Sequence, residues 1–84
     1  MKVNELPKET NLIFVKVQLP AEALKKFKKF CGGEPQMWIV GDTFGEFFLS
    51  PQPPSSEGKR DLYPKPPDVN VADILGWNVV EVMK

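Results

Sequence analysis

The chain has 84 residues, 11 basic and 11 acidic side chains, no histidine and one cysteine. That length holds one small domain, residues 1–84, with a modest core, because a chain of this size buries only about 60–65% of its unfolded surface. A formal charge of zero argues against a uniformly basic polyanion binder, the missing histidine removes the usual hydrolytic triads and histidine metal sites, and a lone cysteine cannot form an internal disulfide.

Met1 to Lys8 contains no apolar leader, and the longest apolar run, Leu12 to Val15, is far short of the ~20 residues of a membrane helix. A cytoplasmic protein without membrane contact is the expectation. Residues 1–10 are polar and read as a frayed, flexible lead.

Leu12 to Leu19 reads as a strand. Ile13, Val15, Val17 and Leu19 share one side, assigned to the core, and Lys16 and Gln18 mark the other as wetter, with Phe14 on it. A helix follows near residues 20–31. Pro20 suits its first position and Glu22 its first turn, and Gly32-Gly33 with Pro35 ends it. Ala23, Leu24, Phe27, Phe30 and Cys31 form an apolar stripe, with Lys25, Lys26, Lys28 and Lys29 largely off it.

Met37–Val40 and Glu46–Leu49 read as a hairpin. Asp42 and Gly45 stand at the first and fourth positions of a type I turn. Both strands carry large apolar residues on both faces, so either both faces are covered or one is adhesive. Residues 50–68 hold Pro51, Pro53, Pro54, Pro64, Pro66 and Pro67 and read as a long proline-rich loop. Asn70 to Leu75 is a short helix, capped by Asn70 and ended by Gly76, and Trp77 to Met83 is a last strand.

The succession is β-α-β-β-(long loop)-short α-β. It predicts a small α+β domain with a four-stranded, ferredoxin-like sheet. A curled, barrel-like sheet with one packed helix is the alternative.

Catalytic chemistry finds little support. Cys31 has no histidine to activate it, and the C-terminal end of a helix disfavours its thiolate, so it reads as a small core residue. Asp42, Glu46, Glu57, Asp61 and Asp68 show no calcium-loop or acid–base spacing, and no glycine-rich phosphate loop precedes a Lys-Ser/Thr pair. No cofactor or metal is expected, and the chain is not expected to be an enzyme.

Binding chemistry is better represented. Lys25, Lys26, Lys28 and Lys29, with Lys59 and Arg60 further on, are either a solvated face or contacts for phosphate or an acidic partner. Pro51-Gln52-Pro53-Pro54 and Pro64-Lys65-Pro66-Pro67 both satisfy P-x-x-P. Neither has the basic residue spacing of an SH3 ligand, so they read as a stiff surface loop that packs Leu62 and Tyr63 back onto the sheet.

The aromatics carry the sharpest idea. In a ferredoxin-like sheet the first and third strands are central neighbours, which would place Phe14 beside Phe48 on the face away from the helix. Ile13-Phe14-Val15 and the Leu19-Pro20 entry to the helix locally resemble RNA-recognition motifs, as do Gly45, Phe48 and Leu49. Glu46, Phe47 and Pro51 depart from that pattern. The resemblance implies bases of a single strand stacked on Phe14 and Phe48, with the lysines on phosphates. The leading expectation is instead a non-catalytic binding or regulatory module that contacts another protein or its own copy through Phe14, Trp38 and Phe48, with Tyr63 as a latch. Single-stranded nucleic acid is the alternative partner.

Overall fold

A computed structural model of the protein describes residues 1–30, 32–43, 46–56, 58 and 60–83, with Asp42, Thr43 and Glu46 described in their backbone alone. Its elements are β1 (Val15–Gln18), α1 (Ala21–Phe30), β2 (Gln36–Thr43), β3 (Glu46–Ser50), β4 (Tyr63–Pro64), α2 (Val71–Leu75) and β5 (Asn78–Val82). The strands form one antiparallel sheet in the order β4-β3-β2-β1-β5. This is the α+β class that the residues predict.

The strand order differs from the ferredoxin-like one. There β3 would lie beside β1, whereas here β2 separates them and β4 adds a fifth strand. The reason is the return from α1. A ten-residue helix travels about 15 Å, and the few residues between it and β2 span a similar distance when extended. The chain therefore comes back to the end of β1 that it left. The Leu19 N–H donates to the Pro35 carbonyl at 2.9 Å, and Gln36 pairs with Gln18. β2 then runs antiparallel to β1 as its direct neighbour. The sheet is open, with β4 and β5 as its edges, so the barrel-like alternative is not adopted.

The core lies between the helices and one face of the sheet. Val15, Val17 and Leu19 are buried there, as their alternation predicts, with Ala23 and Phe27 of α1, Met37 and Ile39 of β2, and Leu49 of β3. Val69, Ile74 and Trp77 close one end of it. Burying a side chain of this size contributes about 1.5–3 kcal/mol.

Three local readings change. Leu12–Phe14 is a 3-10 turn rather than strand, because the Asn11 side chain accepts the Ile13 N–H at 3.2 Å and draws the chain into a turn. That turn presses on β2 where its pairing slips between Ile39 and Asp42. Gly41 sits there at φ +98°, and a Cβ on it would lie 3.0 Å from Ile13 Cγ2. Within α1, Phe30 is 50% exposed instead of buried on the stripe. Asp42 and Thr43 belong to the β2–β3 ladder, opposite Phe47 and Glu46. Phe44, Gly45 and Cys31, on which the turn and core readings also rested, lie outside the described residues.

The polar lead contributes to the core. Val3 is buried, its N–H donates to the Trp77 carbonyl at 3.0 Å, and the Met1 carbonyl accepts the Val79 N–H at 2.7 Å. Residues 1–3 thus clasp the start of β5.

The proline-rich segment is organised too. Ser50, at its start, is the last residue of β3 and fully buried. Its hydroxyl accepts the Gln52 N–H at 3.1 Å, and the Gln52 Oε1 accepts the Asp61 N–H at 3.0 Å. The Arg60 guanidinium donates to the carbonyls of Pro54 and Ser56. Further on, Tyr63-Pro64 forms β4 and Pro66 is buried. The two P-x-x-P copies are therefore spent on a folded lobe and on a strand. Among the described residues, no helix is long and apolar enough to cross a membrane.

Candidate interaction surfaces

The outer face of the sheet, away from the helices, is where the aromatic platform was expected. Register places Lys16 opposite Trp38 and Trp38 opposite Ser50, so these three share that face. Phe48, two residues before Ser50, joins them. Trp38 is only 4% exposed, with the Lys16 ammonium 5.9 Å from its ring centre. Its cross-strand partner Ser50 is itself fully buried and leads into the segment tied by Gln52 and Arg60. Trp38 thus offers little surface to a partner in this conformation.

The other three aromatics do not join it as one patch. Phe48 is half-buried and pairs with Pro64. Tyr63 pairs with Leu49 and packs against the core on the helix side, so it faces away from Phe48. Phe14 is half-buried in the 3-10 turn, and β2 stands between it and β3. The Phe14–Phe48 neighbourhood expected from the ferredoxin-like order, and implied by the likeness to RNA-recognition motifs, is absent because β1 and β3 are not adjacent.

The basic residues are also divided. Lys25, Lys28 and Lys29 are exposed on α1, with the Lys28 stem lying over Gly33. Lys26 is engaged: its ammonium lies 3.6 Å from Asp68 Oδ2 and donates to the Asp68 carbonyl at 3.3 Å. Arg60 is a staple of the lobe, and its Nε is buried without a partner. Lys59 lies outside the described residues. The sequence gives no sign that Lys26 and Arg60 are internal ties, because their partners, Asp68 for Lys26 and the Pro54 and Ser56 carbonyls for Arg60, are brought near only by folding.

Two surfaces were missed by the sequence reading. The first is the outer edge of β5. The N-terminal clasp covers it at Trp77 to Val79, and beyond that Val80 is 44% and Val82 38% exposed. A run of valines was visible, but nothing local marked its strand as an edge.

The second is a groove of about 340 Å³ between α1 and α2. Ala23, Val69 and Trp77 form its apolar part, and Glu22, Lys26 and Asp73 line it with charge. It continues past Pro20 and Gly76 into a smaller recess of about 90 Å³ beside Gln18 and Asn78. The signal that could have found it is the pairing of two short amphipathic helices around one tryptophan.

No family model, no curated protein and no solved structure matches this chain. The surfaces themselves therefore carry the functional argument.

Proposed function

We propose that this chain is a small, non-catalytic binding module that works through protein–protein contact at the free edge of β5. The observation that carries this reading is the exposure of Val80 and Val82 on an edge strand. Edge strands present unpaired backbone groups and are commonly blunted with lysine or proline. Residues 80–82 carry neither, and Glu81 is their one charge. Val82 pairs opposite Val15, and Val80 is the extra residue where the register shifts between Val79 and Glu81. A second strand laid along this edge gains backbone hydrogen bonds and covers both valines, which is the strand-addition mode of recognition. A second copy of the chain is the first partner to test, since antiparallel pairing of β5 with itself satisfies a two-fold axis.

The test is sedimentation of the wild-type chain across the micromolar range beside a Val80→Lys/Val82→Lys variant, together with capture of partners from the native cell by both. The reading expects either a wild-type dimer that the variant dissociates, or partners that the variant fails to capture. A wild-type monomer whose captured partners are unchanged in the variant would sink it.

A further inference from the structure

We infer, resting on the reading of the β5 edge as the contact surface, that the strand it receives is an apolar–basic–apolar segment of another protein, with its lysine or arginine opposite Glu81.

The edge has a covered half and a free half. Residues 1–3 lie along the first: the Val3 N–H donates to the Trp77 carbonyl at 3.0 Å, the Met1 carbonyl accepts the Val79 N–H at 2.7 Å, and Lys2 bridges to Asn78. Further along, the Met83 N–H donates inward to the Phe14 carbonyl at 2.8 Å. Adjacent residues of a strand turn their backbone groups to opposite edges, so Val82 turns its N–H and carbonyl outward. An added strand therefore pairs with the stretch around Val82, beyond the clasp.

The two segments that β5 already pairs with share one pattern. β1 presents Val15-Lys16-Val17, and the clasp is Met1-Lys2-Val3. Val3, Val15 and Val17 are buried in the core, while Lys16 lies opposite Glu81 and Lys2 opposite Asn78 on the outer face. The free half of the edge repeats the same alternation. Val82, opposite Val15, belongs to the helix side, and Glu81 belongs to the outer face.

Charge sets the central residue of the added strand. Ser50, Trp38, Lys16 and Glu81 form one row across β3, β2, β1 and β5. Within that row the Lys16 ammonium leans over the ring of its β2 neighbour Trp38, 5.9 Å from the centre. Glu81 ends the row, exposed, and is the residue that a further strand meets on this face. Opposite charges directly across a strand pair are favourable and like charges unfavourable. A lysine or arginine at that point extends the row, and a carboxylate is repelled. A second copy paired through β5 about a two-fold axis brings no cation, because Glu81 then opposes either Glu81 or Met83 of that copy. It is the competing occupant.

The experiment uses the full ¹⁵N-labelled chain and three blocked peptides at up to millimolar concentration: Ac-Thr-Val-Lys-Val-Thr-NH2 and its glutamine and glutamate counterparts. The lysine peptide is expected to shift the Val82 amide signal saturably. It is expected to bind more tightly than the glutamine peptide, and the glutamine peptide more tightly than the glutamate one, by about two- to fivefold at each step, the range of one cross-strand charge pair. Glu81→Lys, a change at an exposed position, is expected to reverse that order. Val82→Pro removes the outward N–H without adding charge and is expected to abolish binding, with unchanged Trp38 and Trp77 indole signals showing that the variant is folded. Equal binding of the three peptides, an order that Glu81→Lys leaves unchanged, binding that survives Val82→Pro, or a Val82 amide that no peptide moves overturns the inference. If sedimentation in any of those cases shows a dimer that Val80→Lys/Val82→Lys dissociates, the second copy is the occupant, and the edge stands as the contact surface without this partner.

Discussion

Lys16 and Trp38 face each other across β1 and β2, with the ammonium 5.9 Å from the centre of the indole ring. The pair sits on the outer face of the sheet, where Trp38 is nonetheless buried. Cation–π pairs contribute about 0.5–1 kcal/mol at exposed sites and more when desolvated. Lys16→Met keeps the stem that lies over the ring and removes the charge. It is expected to cost about 1 kcal/mol in urea unfolding, and the cost should largely vanish in a Trp38→Leu background. Equal costs in both backgrounds would show that the contact contributes nothing.

Gly41 is the most constrained glycine of the sheet. Its φ of +98° is unfavourable for any side chain, and Ile13 Cγ2 occupies the space that a Cβ needs. Gly41→Ala is expected to destabilise the chain by about 1–3 kcal/mol. Adding Ile13→Ala relieves the clash and leaves the backbone strain. The double variant should therefore be more stable than the two single costs predict, as read by chemical denaturation.

Arg60 holds the lobe together through the Pro54 and Ser56 carbonyls. Hydrogen bonds to a charged group contribute about 1.5–3 kcal/mol each, but the buried and unpaired Nε offsets part of that gain. Arg60→Gln is expected to raise amide exchange across residues 51–62 while leaving the exchange of β1 and β2 unchanged. Uniform acceleration across the chain would mean instead that Arg60 stabilises the whole domain.

Val3 ties the first residues to the core and to β5. Val3→Ala removes two methyl groups from a site 3% exposed and is expected to cost about 1–3 kcal/mol. A frayed lead would show no change in thermal midpoint.

Much of this fold is legible in the residues. The alternation of Val15, Val17 and Leu19, the α1 stripe through Ala23 and Phe27, the cap at Asn70 and the stop at Gly76 are local patterns. Each needs only its near neighbours along the chain, so periodicity and propensity reveal it. Phe30 shows the limit of that logic. The helical spacing puts it on the stripe, but what a helix end packs against is set by elements far away in sequence.

Sequence alone determined that this is a small α+β domain with one basic helix, a hairpin and a valine-rich last strand. The tertiary structure decided which strands are neighbours, and that choice reassigned every candidate contact. Placing β2 between β1 and β3 parted Phe14 from Phe48. The register of the same strands put Lys16 over Trp38 and turned Tyr63 inward. The close of the sheet left β5 as an edge, and the approach of two helices made a groove over Trp77. None of these is encoded in a local pattern. Each depends on how far α1 carries the chain before β2 brings it back, which is a matter of lengths and distances in space.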